Sequence, residues 1–225
     1  MTSGLSIVMP ALDEAAAIEP TLLALAPLRG RGAEVIVADG GSTDGTAEHA
    51  HPFADRVLTA PRGRARQMNA GAARATGDVL LFLHADTLLP PDADRLIRRA
   101  VDAGAAWGRF DVRIAGRPRM LGVIAAFMNT RSRWTGVATG DQALFVRRAV
   151  FERLGGFADQ PLMEDVELSR LLRAVGRPAC LRARVTTSGR RWETRGVWRT
   201  IFLMWRLRWR YWRGESAQAL AEAYR

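Results

Sequence analysis

The sequence predicts an α/β fold: a mostly parallel central sheet flanked by helices, followed by a C-terminal amphipathic helix. Three observations lead there. Short β-branched and apolar runs alternate with helix-period segments through the first half, the rhythm of βαβ units. A glycine-rich polar turn, Asp39 to Gly45, follows the second strand. Of the 225 residues, 48% are hydrophobic and 25% charged, a globular balance that excludes a disordered chain, a collagen-like repeat or a small disulfide scaffold.

Leu5 to Met9 reads as the first strand. Pro20 suits the first turn of a helix whose Leu22, Leu25 and Leu28 recur at helical spacing up to Gly30. Val35 to Ala38 is a doubly buried second strand, and Asp39-Gly40-Gly41-Ser42-Thr43-Asp44-Gly45 is a glycine-rich turn capping a helix from near Thr43. Arg56 to Thr59 is a third strand, Arg64 to Arg74 a helix, and Val79 to Leu83 an apolar fourth strand ending at His84-Ala85-Asp86. Asp39 and Asp86 thus end parallel strands, where open α/β sheets place their ligand crevice. A helix over Asp92 to Ala103 follows, then an edge or antiparallel strand, Arg109 to Ile114. Beyond it the βαβ rhythm stops: a short apolar helix, a turn at Gly140-Asp141, a strand Ala143 to Val146 and a Gly155-Gly156 break suit a substrate-binding half.

All 33 basic residues are arginine. Residues 1–176 hold 21 Arg against 20 acidic residues, while 177–225 hold 12 Arg against three Glu, so almost all of the +10 charge lies in the last segment. Such an end suits an anionic surface. Cys180 is the lone cysteine, sits in an apolar stretch and is expected in the core. No basic leader with a long apolar run opens the chain, so a cytoplasmic location is expected. The longest apolar window, Met120 to Met128, is about half of the roughly 18 residues a spanning helix needs.

The glycine turn lacks the G-x-G-x-x-G spacing of dinucleotide sites, no P-loop occurs, and the acidic spacing fails as a calcium loop. Four features in order say more: Pro10-Ala11-Leu12-Asp13-Glu14, the Asp39 turn, His84-Ala85-Asp86, and Met163-Glu164-Asp165. Together they resemble family-two glycosyltransferases of the GT-A fold over residues 4–192. Gly63 to Gly77 is similar to that family's basic segment, with Asn69 and Gly71. Gly140-Asp141-Gln142, Gly155-Gly156-Phe157 and Arg190-Arg191-Trp192 look like its small non-processive members.

The resemblance implies a nucleotide-diphosphate sugar as donor, held by Pro10, Ala11, Leu12, Glu14, Asp39 and Arg66. Asp86 matches the second carboxylate of the D-x-D motif, holding Mg or Mn against the diphosphate. The first Asp of that motif is His84 here, able to ligate Mn, to contact phosphate or simply to pack at the strand end. Asp165 matches the general base that takes the acceptor hydroxyl's proton, with Glu164 in support. Gly140, Asp141 and Gln142 are acceptor contacts or plain turn residues. Arg190 and Arg191 suit the leaving diphosphate, and Trp192 a stacked acceptor. Ser188 stands where processive synthases carry Gln, so one sugar per encounter is implied. The division that follows is a domain over 1–192, with a nucleotide-sugar half at 1–114 and an acceptor half at 115–192, plus a basic Trp-rich helical extension at 193–225.

In that extension, Trp198, Phe202, Trp205, Trp209 and Trp212 share one face of a helix at about 100° per residue, with Arg199, Arg206, Arg210 and Arg213 on one flank and Arg208 on the other. The face suits an anionic membrane surface or docking on the domain. No recognised motif supports nucleic acid. Two functions follow as expectations. One is a metal-dependent inverting transferase acting on a small or lipid-like acceptor at the cytoplasmic membrane face; the other is a non-catalytic peripheral membrane or nucleic-acid binder keeping the fold.

Overall fold

The computed structural model describes residues 4–224. Its spine is one eight-stranded sheet. The strands are β1 (Leu5–Ala11), β2 (Glu34–Asp39), β3 (Arg56–Thr59), β4 (Val79–Phe82), β5 (Thr87–Leu88), β6 (Trp107–Ala115), β7 (Phe145–Arg147) and β8 (Ala179–Ser188), ordered β3-β2-β1-β4-β7-β6-β8-β5. β1 to β4 pair in parallel, while β7 runs antiparallel to both β4 and β6. The break in βαβ rhythm after residue 114 is this change of strand direction.

Both faces of the sheet are covered, and the alternation of strand side chains divides the core in two. Ile7 and Met9 point to a layer containing α1 (Ala15–Arg29), α4 (Ala93–Asp102) and α5 (Met120–Thr135). Val8, Ile36 and Leu80 point to the other layer, with α3 (Arg64–Ala72), α6 (Arg148–Arg153) and α7 (Glu164–Val175). Gly71 lets α3 reach β1, since a Cβ there would stand 2.5 Å from Val8 Cγ1. The small helix α2 (Thr46–Ala50) follows the glycine turn.

Several local expectations change. α1 begins at Ala15, leaving Pro20 and Pro27 inside it. Both prolines lie on the exposed side, away from the buried stripe Ile18, Thr21, Leu22, Leu25 and Leu28, where water can satisfy the carbonyls their missing N–H groups leave free. α2 starts at Thr46 rather than near Thr43, because Gly45 at φ 87 turns the chain and Asp44, not Ser42 or Thr43, accepts from the Thr46 N–H. β6 is internal rather than an edge, flanked by β7 and by the parallel β8. Cys180 lies on β8 and is only half-buried.

The chain ends in α8 (Arg190–Arg195), α9 (Val197–Trp212) and α10 (Ala217–Tyr224). Leu207 and Leu220 are fully buried against Met163, so the extension grips the start of α7. Its aromatic face does not dock on the domain: Trp198, Phe202, Trp205, Trp209 and Trp212 are each more than half exposed. Among the described residues no helix is long and apolar enough to cross a membrane.

Candidate active site

A cavity of about 390 Å³ lies where the parallel strands end. β1 delivers Pro10, Ala11 and Leu12 to its wall, followed by Glu14. β4 runs on into His84 and Asp86, and this turn is tied to α1 by the Thr21 hydroxyl, which donates to the Ala85 carbonyl at 2.6 Å. Gly140 and Asp141 come from a 3₁₀ turn (Gly140–Gln142), Glu164 and Asp165 from the first turn of α7, and Arg190, Arg191 and Trp192 from α8. Residues as far apart in the chain as Pro10 and Trp192 therefore share one wall.

Three expected residues stand elsewhere. Asp39 does not line the cavity; its buried carboxylate accepts from the Gly41 and Ser42 N–H groups at 3.0 and 2.9 Å and from the Ser42 hydroxyl, so it holds the glycine turn. Arg66 points away and pairs with exposed Asp159 at 2.7 Å, because two residues along a helix is about half a turn. Arg64, on the opposite face, enters the cavity instead. Gln142 is fully buried, its carboxamide oxygen accepting from the Thr139 N–H at 3.3 Å, and supports the turn from beneath.

Much of the motif polarity stitches loops together. The Thr43 N–H donates to Asp13, the Asp13 N–H to the Ser42 hydroxyl, the Glu14 N–H to the Thr46 hydroxyl and the Ala15 N–H to Asp44, all at 2.9–3.0 Å. Gln67, also unexpected, donates from its amide to the carbonyls of Ala11 and Ala38 at 2.6 and 3.0 Å, clamping the ends of β1 and β2. Asn69 pairs with both backbone groups of Phe157 at 2.8 and 2.9 Å. Sequence reasoning also missed Met204, Arg208 and Tyr224, which the C-terminal helices bring to the wall. Tyr224 lies under the Arg191 guanidinium, 3.8 Å from ring centre to Cζ.

Asp165 carries the most distinctive electrostatics. Burial and the neighbouring Glu164 charge push its carboxyl up to about 6, against the Gly140 N–H, which donates at 2.8 Å, and the Arg64 charge. Glu164 is almost fully buried and faces Arg64 at 3.4 Å. Burial also disfavours the Asp141 charge, but His84, Arg64 and Arg191 outweigh it and hold that carboxyl below its ordinary range. Burial, with Arg195 and Arg64 nearby, lowers Arg191 to about 10. Met163, immediately before this pair, adopts a left-handed φ of 65°, a strained conformation held by its packing on Leu207 and Leu220.

His84 faces Asp141 with Nδ1 at 3.5 Å, while Nε2 is buried without a partner beneath Gly140. Its ring supports the Gly140-Asp141 turn. Among the described residues no group of three His, Cys, Asp or Glu side chains stands close enough to hold a metal ion unaided. Asp86 still fits a hard cation of the Mg or Mn type, which commonly takes one or two carboxylates and completes its shell with water and substrate phosphates.

The likeness extends to whole folds. TarS of S. aureus, solved with UDP-GlcNAc, superposes with a TM-score of 0.68 at 17% identity, covering 82% of this chain and 58% of that one. The mannosyltransferase PcManGT of Pyrobaculum calidifontis, solved with GDP-Man and Mn2+, gives 0.65 at 23% identity, covering 91% and 60%. These are GT-A enzymes, and the fold is theirs. The model for Glycosyl transferase family 2 matches residues 6–155, and the chain belongs to that family. It is 28% identical to the probable glycosyltransferase YdaM of Bacillus subtilis (strain 168) over 94% of its length, and 34% identical to the PGL/p-HBAD biosynthesis glycosyltransferase of Mycobacterium bovis (strain BCG) over 68%. It spans 55% and 60% of those relatives' own lengths.

Proposed function

We propose that the protein transfers a single sugar from a nucleotide-diphosphate sugar to the hydroxyl of a small or lipid-like acceptor, with inversion, at the cytoplasmic face of the membrane. The observation that carries the reading is the placement of Asp165, half-buried and with a raised pKa, across one cavity from Asp86. An alcohol is a poor nucleophile, and a positioned carboxylate taking its proton contributes about 10² to 10⁴ in rate.

In the proposed step the acceptor oxygen attacks the anomeric carbon while its proton passes to Asp165. The bond from that carbon to the diphosphate breaks, and its electron pair leaves on the nucleotide. Arg190 and Arg191 stand in the same wall to neutralise that charge, with Arg64 and Arg208 adding two more guanidiniums. Asp86 would hold a divalent cation, whose chemistry when bound is to neutralise the diphosphate as a leaving group. Trp192, half in the core and half in the wall, offers a stacking surface to the acceptor. A single displacement inverts the anomeric centre.

The test is a melting-temperature screen with Mn and UDP-, GDP- and dTDP-sugars, followed by nucleoside-diphosphate release with the donor that stabilises most. Asp165→Asn should lower transfer by about 10²- to 10⁴-fold and keep the donor-induced shift. Asp86→Ala should lose the metal-dependent part of that shift. Equal turnover in wild type and Asp165→Asn would retire Asp165 as base, and donor binding without turnover would favour a non-catalytic binder.

A further inference from the structure

The geometry points to a membrane-docking face built from two helices, with an anionic lipid bilayer as its occupant. On α9 the aromatic stripe Trp198, Phe202, Trp205, Trp209 and Trp212 is 58–81% exposed, opposite the buried Thr200 and Leu207. On α5, Val123, Phe127 and Trp134 repeat at helical spacing and are 56–84% exposed. The Phe127 and Trp205 ring centres are 6.4 Å apart, so the two stripes join in one patch. An apolar surface of this kind marks an interaction site rather than ordinary exposure.

Charge selects the occupant. A second cavity of about 400 Å³ lies between α8, α9 and α10, with Arg195, Arg199 and Arg206 as its polar wall and Phe202 and Leu203 as its apolar one. Among the described residues no carboxylate lines it. Arg199 and Arg206 occupy the flank of α9 next to the aromatic face, and Phe202 belongs to both surfaces. Three guanidiniums beside an apolar edge match a phosphate carried at the boundary of an apolar phase, which is a lipid headgroup. Tryptophan suits the same boundary, half wet and half dry. A second copy of the chain docked about a two-fold axis with its α9 antiparallel to the first would instead set one arginine flank against another.

The patch also adjoins the active site. Met204 and Arg208, on the other flank of α9, line the catalytic cavity, and Thr200 and Tyr224 border both cavities. Docking through the aromatic face therefore brings the catalytic cavity beside the lipid surface, within reach of an acceptor held there. Only that consequence rests on the transferase reading.

The test is flotation of the full chain with vesicles of phosphatidylcholine alone and with about one-third phosphatidylglycerol, an anionic content that attracts basic segments. Strong binding to the anionic vesicles and weak binding to the neutral ones is expected. Phe127→Glu with Trp205→Glu should reduce the bound fraction about tenfold or more, since each change takes a charge into the apolar phase. Arg199→Gln with Arg206→Gln should weaken anionic binding about fivefold per residue and leave neutral binding as it was. Unchanged melting curves and unchanged donor turnover in solution would show that each variant keeps its fold and site. The proposal is overturned by absent flotation, by equal binding to the two lipids or by indifference to both double variants. A dimer that Trp205→Glu dissolves, in a protein no vesicle captures, would overturn it too. Vesicle binding without sugar turnover would leave the docking face standing and defeat the transferase reading; the reverse would remove the docking face alone.

Discussion

Asp165 works under opposed demands. As the proposed base it would have to be ionised to accept a proton, yet burial and Glu164 raise it to about 6. Transfer should therefore climb as pH rises through about 6 and level off above, measured as kcat/KM against pH. Stability runs the other way. A carboxyl raised in the folded chain favours folding while protonated, and that contribution is lost as pH rises through the folded value. Asp165→Asn, which never ionises, should gain melting temperature relative to wild type as pH rises from about 4 to about 6 and keep that gain above, with activity lost. Arg64 opposes the shift, so Arg64→Met should move the acid limb of the rate profile upward and lower the melting temperature by exposing the cost of buried Glu164. Gly140→Ala would place a Cβ 2.4 Å from His84 Nε2, for a cost of about 1–3 kcal/mol in a denaturant melt and a loss of the aligned Asp165. The acid pair was singled out by its resemblance to the family's acidic motif, since two carboxylates opening a helix by themselves only favour its N-terminus. The choice of Arg64 over Arg66 was not legible in the sequence, because it depends on the rotational setting of α3 against the sheet. The hydrogen bonds of Asp39 to its own turn were not legible either, because a carboxylate at a strand end can satisfy neighbouring N–H groups as well as face a ligand.

At the scale of elements, α7 and α9 act as one unit. The left-handed turn at Met163 aims Glu164 and Asp165 into the cavity, and Leu207 with Leu220 holds that turn down. Leu207→Ala should cost about 2–3 kcal/mol in a denaturant melt and reduce kcat more than donor affinity, since the residues proposed to hold the donor are carried by β1 and β4. The parallel strands were readable because they are buried on both faces and so nearly continuous in apolar residues. β8 was not read as a strand, although Leu181, Ala183 and Val185 alternate with exposed Arg182 and Arg184 at the strand period of two; the arginines there stood out as part of a basic end rather than as the outward face of a strand. The prolines of α1 misplaced its start, because a proline on the solvent side of a helix is tolerated where one on the packed side is not.

Across the whole molecule, charge and architecture divide alike. The near-neutral body carries seven of the eight strands and most of the cavity, and the basic end supplies β8 and, to the same cavity, Arg190, Arg191 and Arg208 while presenting its aromatic face outward. The parallel strands β1 to β4 were legible from rhythm alone, whereas the closure of the cavity by α9 and α10 was not, since those helices reach it only through tertiary packing. The measurement that bears most directly on the account is the anomeric configuration of the transfer product, read by proton NMR with a donor of known α linkage. A β-linked product, formed by wild type and lost in Asp165→Asn, is predicted. An α-linked product, or one formed equally well without the Asp165 carboxylate, would contradict it.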